Sequence, residues 1–206
     1  MRKSLFPLLV LLCGTTVHSA DNSTILVFGD SLSAGYGIGV DNSWVSLLQA
    51  RLGSLGYEHR VVNASISGET TEGGVARIEQ ALQRFQPELI ILELGANDGL
   101  RGFPPQRLRS NLDKIVVAAK NSGAAVVLLA IKIPLNYGAR YSEAFETTFR
   151  DVAAEHGLPW IEFFMEGVAL NEELLLADGI HPNLEAQALL LENAWPIISA
   201  SLGVKK

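Results

Sequence analysis

The stretch Thr24-Ile25-Leu26-Val27-Phe28-Gly29-Asp30-Ser31-Leu32-Ser33 decides how this chain is read. Its first five residues form an almost unbroken apolar run, and Gly29-Asp30-Ser31 ends that run with turn chemistry. A strand covered by helices on both faces is apolar throughout, whereas a half-exposed one alternates. Residues 24–28 are of the first kind. The pattern recurs at residues 59–63, 88–94, 124–131 and 159–163, which read as further strands. Between them, helix-period segments occupy residues 43–55, 71–85, 105–122 and 142–156, with a last one near 182–202. Gly56, Gly123 and Gly157 stand where helices end, suiting the left-handed cap position. There is no internal repeat, low-complexity tract or linker. The alternation predicts an α/β fold, a three-layer α/β/α, flavodoxin-like doubly wound sheet of about five mostly parallel strands.

Ligands of open parallel sheets bind outside the carboxyl ends of the strands. Four short motifs fall at those ends: Gly29-Asp30-Ser31-Leu32-Ser33, Asn63-Ala64-Ser65-Ile66-Ser67-Gly68, Gly95-Ala96-Asn97-Asp98 and Asp178-Gly179-Ile180-His181-Pro182. Together they offer a hydroxyl nucleophile, a histidine, carboxylates and polar donors. A serine hydroxyl is a weak nucleophile that needs a base within hydrogen-bond reach, and the base needs a third group to hold its tautomer. His181 has Asp178 three residues upstream, and its position before Pro182 holds it extended. Asp98 and Asp30 could also orient a histidine, but both follow strands remote from His181 in sequence. Spacing favours Asp178.

Each motif also has a plainer reading. Gly-Asp-Ser is common turn and capping chemistry, Asn97-Asp98-Gly99 has turn composition, and His181 could cap the last helix. The case rests on all four occurring at strand ends. Gly35-Tyr36-Gly37-Ile38-Gly39 invites a dinucleotide reading, but Val40 stands where a third glycine is needed. No serine sits in a Gly-x-Ser-x-Gly elbow, which argues against the α/β-hydrolase fold. No His-x-x-x-His pair or other ligand cluster implies a metal, and no cofactor is expected. Trp44, Trp160 and Trp195 are widely spaced and read as packing rather than a sugar platform.

The N-terminus is a separate object. Arg2 and Lys3, the apolar run from Leu5 to Leu12, and the small or polar exit from Thr15 to Ala20 lay out a secretory signal peptide. It is too short for a lasting membrane span. Cleavage after Ser19 or Ala20 leaves one domain over residues 21–206. Val10-Leu11-Leu12-Cys13 loosely resembles a lipidation site, but Leu12 stands where a small residue is expected. Loss of the leader removes Cys13, the one cysteine, and with it disulfide and thiolate chemistry. It also takes the formal charge from −6 to −8, because Arg2 and Lys3 go with it. An acidic surface argues against nucleic acid and anionic membrane as partners. A periplasmic or secreted monomer is expected.

These blocks, with Asn97-Asp98-Gly99-Leu100-Arg101-Gly102-Phe103, Asn136-Tyr137-Gly138-Ala139-Arg140-Tyr141 and Asp178-Gly179-Ile180-His181-Pro182-Asn183, resemble the SGNH (GDSL) hydrolase family over nearly the whole mature region. Within it they resemble the bacterial branch of multifunctional thioesterase, protease and lysophospholipase enzymes and arylesterases. The resemblance implies a serine hydrolase of carboxylic esters and thioesters, with Ser31 as nucleophile, His181 as base and Asp178 as its partner. It further implies an oxyanion hole made of the Ser31 and Gly68 backbone N–H groups and the Asn97 amide. One departure is visible: Ala96 stands where the family pattern has glycine, which is tolerable unless that residue needs φ > 0 or close backbone contact. Leu135, Tyr137 and Tyr141, in a loop after the fourth strand, are expected to meet an acyl or aryl group. An O-acetylesterase on acetylated glycans would use the same triad, but no aromatic-rich loop or carbohydrate module is present for it.

Overall fold

The computed structural model describes residues 23–202. The expected leader over residues 1–20, with Cys13, lies outside them, as does the side chain of Leu135. Five parallel strands form one sheet: β1 (Thr24–Gly29), β2 (Arg60–Asn63), β3 (Leu89–Glu93), β4 (Ala125–Leu129) and β5 (Trp160–Ile161). Their order is β2-β1-β3-β4-β5, the flavodoxin-like arrangement. Every residue of β1 and β3 is buried, which is why those runs carry no alternation.

The helices are α1 (Ser31–Ala34), α2 (Trp44–Ser54), α3 (Thr71–Phe85), α4 (Ala96–Leu100), α5 (Pro105–Asn121), α6 (Ala139–His156) and α7 (Gln187–Ser201). Two groups of them flank the sheet: α2 packs with α7, and α5 packs between α3 and α6. Phe28, Trp44, Phe145, Phe149 and Phe164 are fully buried among the aliphatic side chains of the sheet. Removing one such aliphatic side chain, as in Ile91→Ala, costs ~2–5 kcal/mol through lost transfer energy and the cavity left behind.

Three boundaries differ from the sequence reading, each for a visible reason. The strand expected over 159–163 stops at Ile161, because Phe164 turns into the core against Trp44 with ring centroids 5.2 Å apart. The last helix begins at Gln187 rather than near residue 182. Residues 182–183 are taken up by a short antiparallel ladder, with Leu175 bridged to Pro182, Leu176 N–H donating to His181 O at 2.7 Å and Asn183 N–H to Leu174 O at 2.9 Å. Conversely, α6 starts at Ala139, directly after Gly138 and three residues before the expected 142. The turn-like motifs after β1 and β3 are single helical turns, α1 and α4. Trp44 is buried and Trp195 is packed beneath Arg51, 5.3 Å from its ring centroid.

Candidate active site

β1 and β3 are neighbours in the sheet although β2 lies between them in sequence, so their carboxyl ends flank the topological switch point. Ser31 leaves the end of β1 as the first residue of α1, and Asn97 leaves β3 in α4. Asp30 caps α1: its Oδ1 accepts the Leu32 N–H at 3.1 Å, while its carbonyl accepts from Ser33 and Ala34. That cap fixes where Ser31 points.

Asp178 and His181 reach Ser31 from a loop beyond β5. His181 Nε2 lies 2.9 Å from Ser31 Oγ, and His181 Nδ1 lies 2.7 Å from Asp178 Oδ2. The second carboxylate oxygen, Oδ1, accepts the backbone N–H groups of Ile180 at 2.9 Å and His181 at 3.0 Å. One oxygen thus shapes the backbone and the other holds the ring. The His181 backbone N–H first, then the imidazole and the Ile180 N–H, hold the Asp178 carboxyl down at about 2. It is therefore ionised at neutral pH. The antiparallel ladder continues this frame through the Leu176–His181 and Leu175–Pro182 pairs.

Gly68 occupies the third position of a turn in which Glu69 N–H donates to Ile66 O at 3.1 Å, and its φ is +78°. Such a turn favours glycine on conformational grounds. No protein atom lies within 4 Å of where a Cβ would sit, so crowding does not demand glycine here. The turn is fastened on both sides. Ile66 N–H donates to Gly29 O at 3.0 Å, and Arg101 Nη2 donates to Gly68 O at 2.9 Å. Among the described residues neither the Ser31 N–H nor the Gly68 N–H has a hydrogen-bond acceptor within the protein.

Asn97 Nδ2 donates to Asp30 Oδ2 at 3.1 Å. One amide hydrogen is spent there, which leaves the other for a ligand. Asp98 does not approach His181. Its carboxylate accepts the Thr71 N–H at 2.8 Å and hydroxyl at 2.6 Å, pinning the start of α3 to α4, and Asn111 Nδ2 donates to the same hydroxyl at 3.1 Å.

Residues 27–189 match the GDSL-like lipase/acylhydrolase family. The chain is 48% identical over 185 residues to the esterase TesA of Pseudomonas aeruginosa, covering 90% of this chain and 92% of that protein. It is 43% identical over 187 residues to the thioesterase 1/protease 1/lysophospholipase L1 of Escherichia coli, covering 91% of this chain and 87% of that one. Among solved structures, it is similar to the psychrotrophic esterase EstA from Pseudoalteromonas inhibited by monoethylphosphonate. The TM-score there is 0.83 at 39% identity, over 87% of this chain and 98% of the other. The chain belongs to the SGNH (GDSL) hydrolase family.

The departure from the SGNH pattern at Ala96 is harmless to the backbone. Ala96 opens α4, and among the described residues only Gln86 is a non-glycine with positive φ. Ala96 instead lines an apolar cavity of ≈ 120 Å³, together with Leu32, which follows Ser31, and with Leu100, Ile133, Pro134 and Ile180. Tyr137 and Tyr141 do not line that cavity. Their hydroxyls fasten the loop after β4 to the segment after α4: Tyr137 Oη donates to Leu100 O at 2.8 Å and Tyr141 Oη to Phe103 O at 2.7 Å.

Three acidic or aromatic residues near the site escaped the sequence reading. The sequence offers Asp30 only as a partner for histidine, whereas in the structure its carboxylate accepts from the Asn97 amide. Beneath it lies Glu93, wholly buried at the end of β3. Glu93 Oε2 accepts Ser33 Oγ at 2.7 Å and the Asp30 N–H at 3.4 Å. Burial, the largest cause, lifts Asp30 to about 7 against the pull of the Leu32 N–H and the Asn97 amide. Burial and then the Asp30 charge push Glu93 well above the usual carboxylate range. Asp30 has donors on both oxygens, whereas Glu93 Oε1 has none. Glu93 is therefore the partner that keeps its proton. The third is Tyr36, whose ring lies against His181. Glycine on either side of an aromatic, directly after the helix that Ser31 opens, is the available signal.

Proposed function

We propose that the chain hydrolyses carboxylic esters and thioesters, aryl esters, acyl-CoA and lysophospholipids among them, through an acyl-enzyme on Ser31. His181 is the general base and then the general acid, and Asp178 is its orienting partner. The Ser31 N–H, the Gly68 N–H and the Asn97 amide receive the oxyanion. The family fixes the class of chemistry: the chain is a serine hydrolase of the esterase, thioesterase and lysophospholipase kind. The observation that carries the residue assignment is the pair of contacts to one imidazole, 2.9 Å to Ser31 Oγ and 2.7 Å to Asp178 Oδ2.

His181 Nε2 takes the Ser31 proton as Oγ attacks the carbonyl carbon. The carbonyl oxygen gains charge and meets donors held in place by the Asp30 cap, the fastened Gly68 turn and the Asp30–Asn97 bond. Such preorganised donors are worth ~3–4 kcal/mol each in the transition state. The tetrahedral adduct collapses as His181 gives its proton to the departing alkoxide or thiolate, leaving acyl-Ser31. Water attacks the acyl carbon as His181 removes its proton, and the second tetrahedral adduct collapses to the free acid as its bond to Ser31 Oγ breaks and His181 returns the proton to that oxygen. Asp178 remains ionised throughout and offsets the imidazolium charge.

The aliphatic walls of the cavity favour an acyl chain over a sugar, so the O-acetylesterase reading gains no support. The leader fits an exported, periplasmic or secreted enzyme, which we propose acts as a monomer. Among the described residues no helix is long and apolar enough to cross a membrane. A panel of short and long p-nitrophenyl esters, acyl-CoA, lysophospholipid and an acetylated glycan tests the reading. Hydrolysis of the first three classes, abolished in Ser31→Ala, is expected. Preference for the glycan would overturn the substrate assignment.

A further inference from the structure

His181 is held by hydrogen bonds at its two ring nitrogens, to Asp178 and to Ser31, and the N–H and lone pair of an imidazole both lie in the ring plane. Two in-plane bonds fix where the nitrogens are but resist tilting of the ring only weakly. Tyr36 supplies what they lack. Its ring centroid is 4.2 Å from that of the imidazole, at an interplanar angle of 34°. The side chain is placed there by a stiff loop. At Gly35 (φ +75°) an added Cβ would meet the Gly39 carbonyl at 2.8 Å, and Gly39 N–H donates back to Gly35 O at 2.9 Å. At Gly37 (φ +74°) a Cβ would lie 2.5 Å from Leu176 Cδ1. Leu176 is the residue whose N–H binds the His181 carbonyl. The backbone on either side of Tyr36 is thus packed against its own loop and against the ladder that carries the histidine.

We propose that Tyr36 is a positioning residue for His181, its ring face bracing the imidazole between Asp178 and Ser31 and favouring the imidazolium that forms in each transition state. The proposal rests on the assignment of Ser31 and His181 given above. An aromatic face against a cationic ring is attractive through the ring quadrupole, and aromatic pairs at this separation exceed their area burial in strength. Among the described residues the hydroxyl has no hydrogen-bond partner in the protein, and the residue is 48% exposed, so removing the hydroxyl alone is expected to cost little. What matters is the flat, electron-rich face.

The exposed position of Tyr36 allows a rival role, as a platform for the leaving group, and deacylation separates the two. By that stage the leaving group has gone, while His181 must still activate water. Stopped-flow measurement of acylation by p-nitrophenyl acetate and of deacylation of the same acetyl-enzyme is expected to show both steps slowed about three- to ten-fold in Tyr36→Leu. KM corrected for the acylation-to-deacylation ratio and the thermal midpoint should stay near wild type. Tyr36→Phe should restore both rates to within about twofold. Slowing confined to acylation, or a Phe variant as impaired as Leu, would overturn the positioning role. Ser31→Ala and His181→Ala run alongside report on the underlying assignment: if either keeps wild-type turnover, that assignment has failed, whatever Tyr36→Leu does.

Discussion

Replacing Asp30 with asparagine should pull stability and rate in opposite directions. Asp30 is fully buried, and its carboxyl is lifted from 3.8 to about 7, chiefly by desolvation. A carboxyl raised in the folded state stabilises the protein most below its unfolded value, and that stability is lost as pH rises through the folded value. Between pH 4 and pH 7 the wild type therefore gives up about three pH units' worth of proton affinity, or ~4 kcal/mol. Asp30→Asn cannot ionise and does not pay this penalty. Asparagine caps α1 about as well as aspartate, but its amide then faces Asn97 Nδ2, donor against donor, at a cost of ~1–3 kcal/mol. The variant should be less stable than wild type near pH 4 and more stable near pH 8, by a few degrees in Tm each way. Its kcat should fall about 10- to 100-fold at unchanged KM, because Asn97 loses the acceptor that aims its amide. Calorimetry across pH 4–8 and steady-state kinetics on p-nitrophenyl acetate check both arms. A Tm difference independent of pH would refute the buried ionisation, and a kcat within twofold of wild type would refute the aiming role.

Other expected outcomes follow from neighbouring contacts. Asn97→Ala should lower kcat by roughly 10²–10³ with little change in KM, since the lost bond tightens mainly in the transition state. Asn97→Asp should be worse in rate and also less stable above pH 7, because it sets a second carboxylate about 3 Å from Asp30 Oδ2; retained activity in that variant removes Asn97 from the oxyanion hole. Ala96→Leu, which fills the apolar cavity, should cut kcat/KM for long acyl chains by ~10-fold or more relative to acetate, measured over a series of p-nitrophenyl esters; equal loss at all lengths means the cavity does not take the acyl chain. Tyr137→Ala should change the same ratio only a few fold, because Tyr137 acts through the Leu100 carbonyl it binds rather than by lining the cavity.

The fold was legible where burial and sequence pattern carry the same information. β1 and β3 are apolar at nearly every position because both faces are covered, and few other environments produce such runs. Boundaries were lost where a tertiary contact overrides local pattern. Phe164 ends β5 early by packing on Trp44, and Pro182 suits the first turn of a helix but is held in a ladder with Leu175. The proximity of Asp178 to His181 could be read from a spacing of three, because an Asx-type turn is local geometry. The Asp30–Asn97 bond spans 67 residues and leaves no local trace. Glu93 looked like one polar residue in an apolar strand, and its meaning appears only when the sheet sets it beneath Asp30. Tyr36 lies in a glycine-rich segment whose pattern on its own suggests only a nucleotide loop.

The central claim is that Ser31 and His181 act as one unit through an acyl-enzyme. The most direct test is tryptic mapping of the adduct formed by a serine-directed phosphonate, on wild type and on His181→Ala. The account predicts a single modified residue, Ser31, in the wild type, and labelling slowed by several orders of magnitude without the base. Modification of Ser33, Ser65 or Ser67, or equal labelling in His181→Ala, would contradict it.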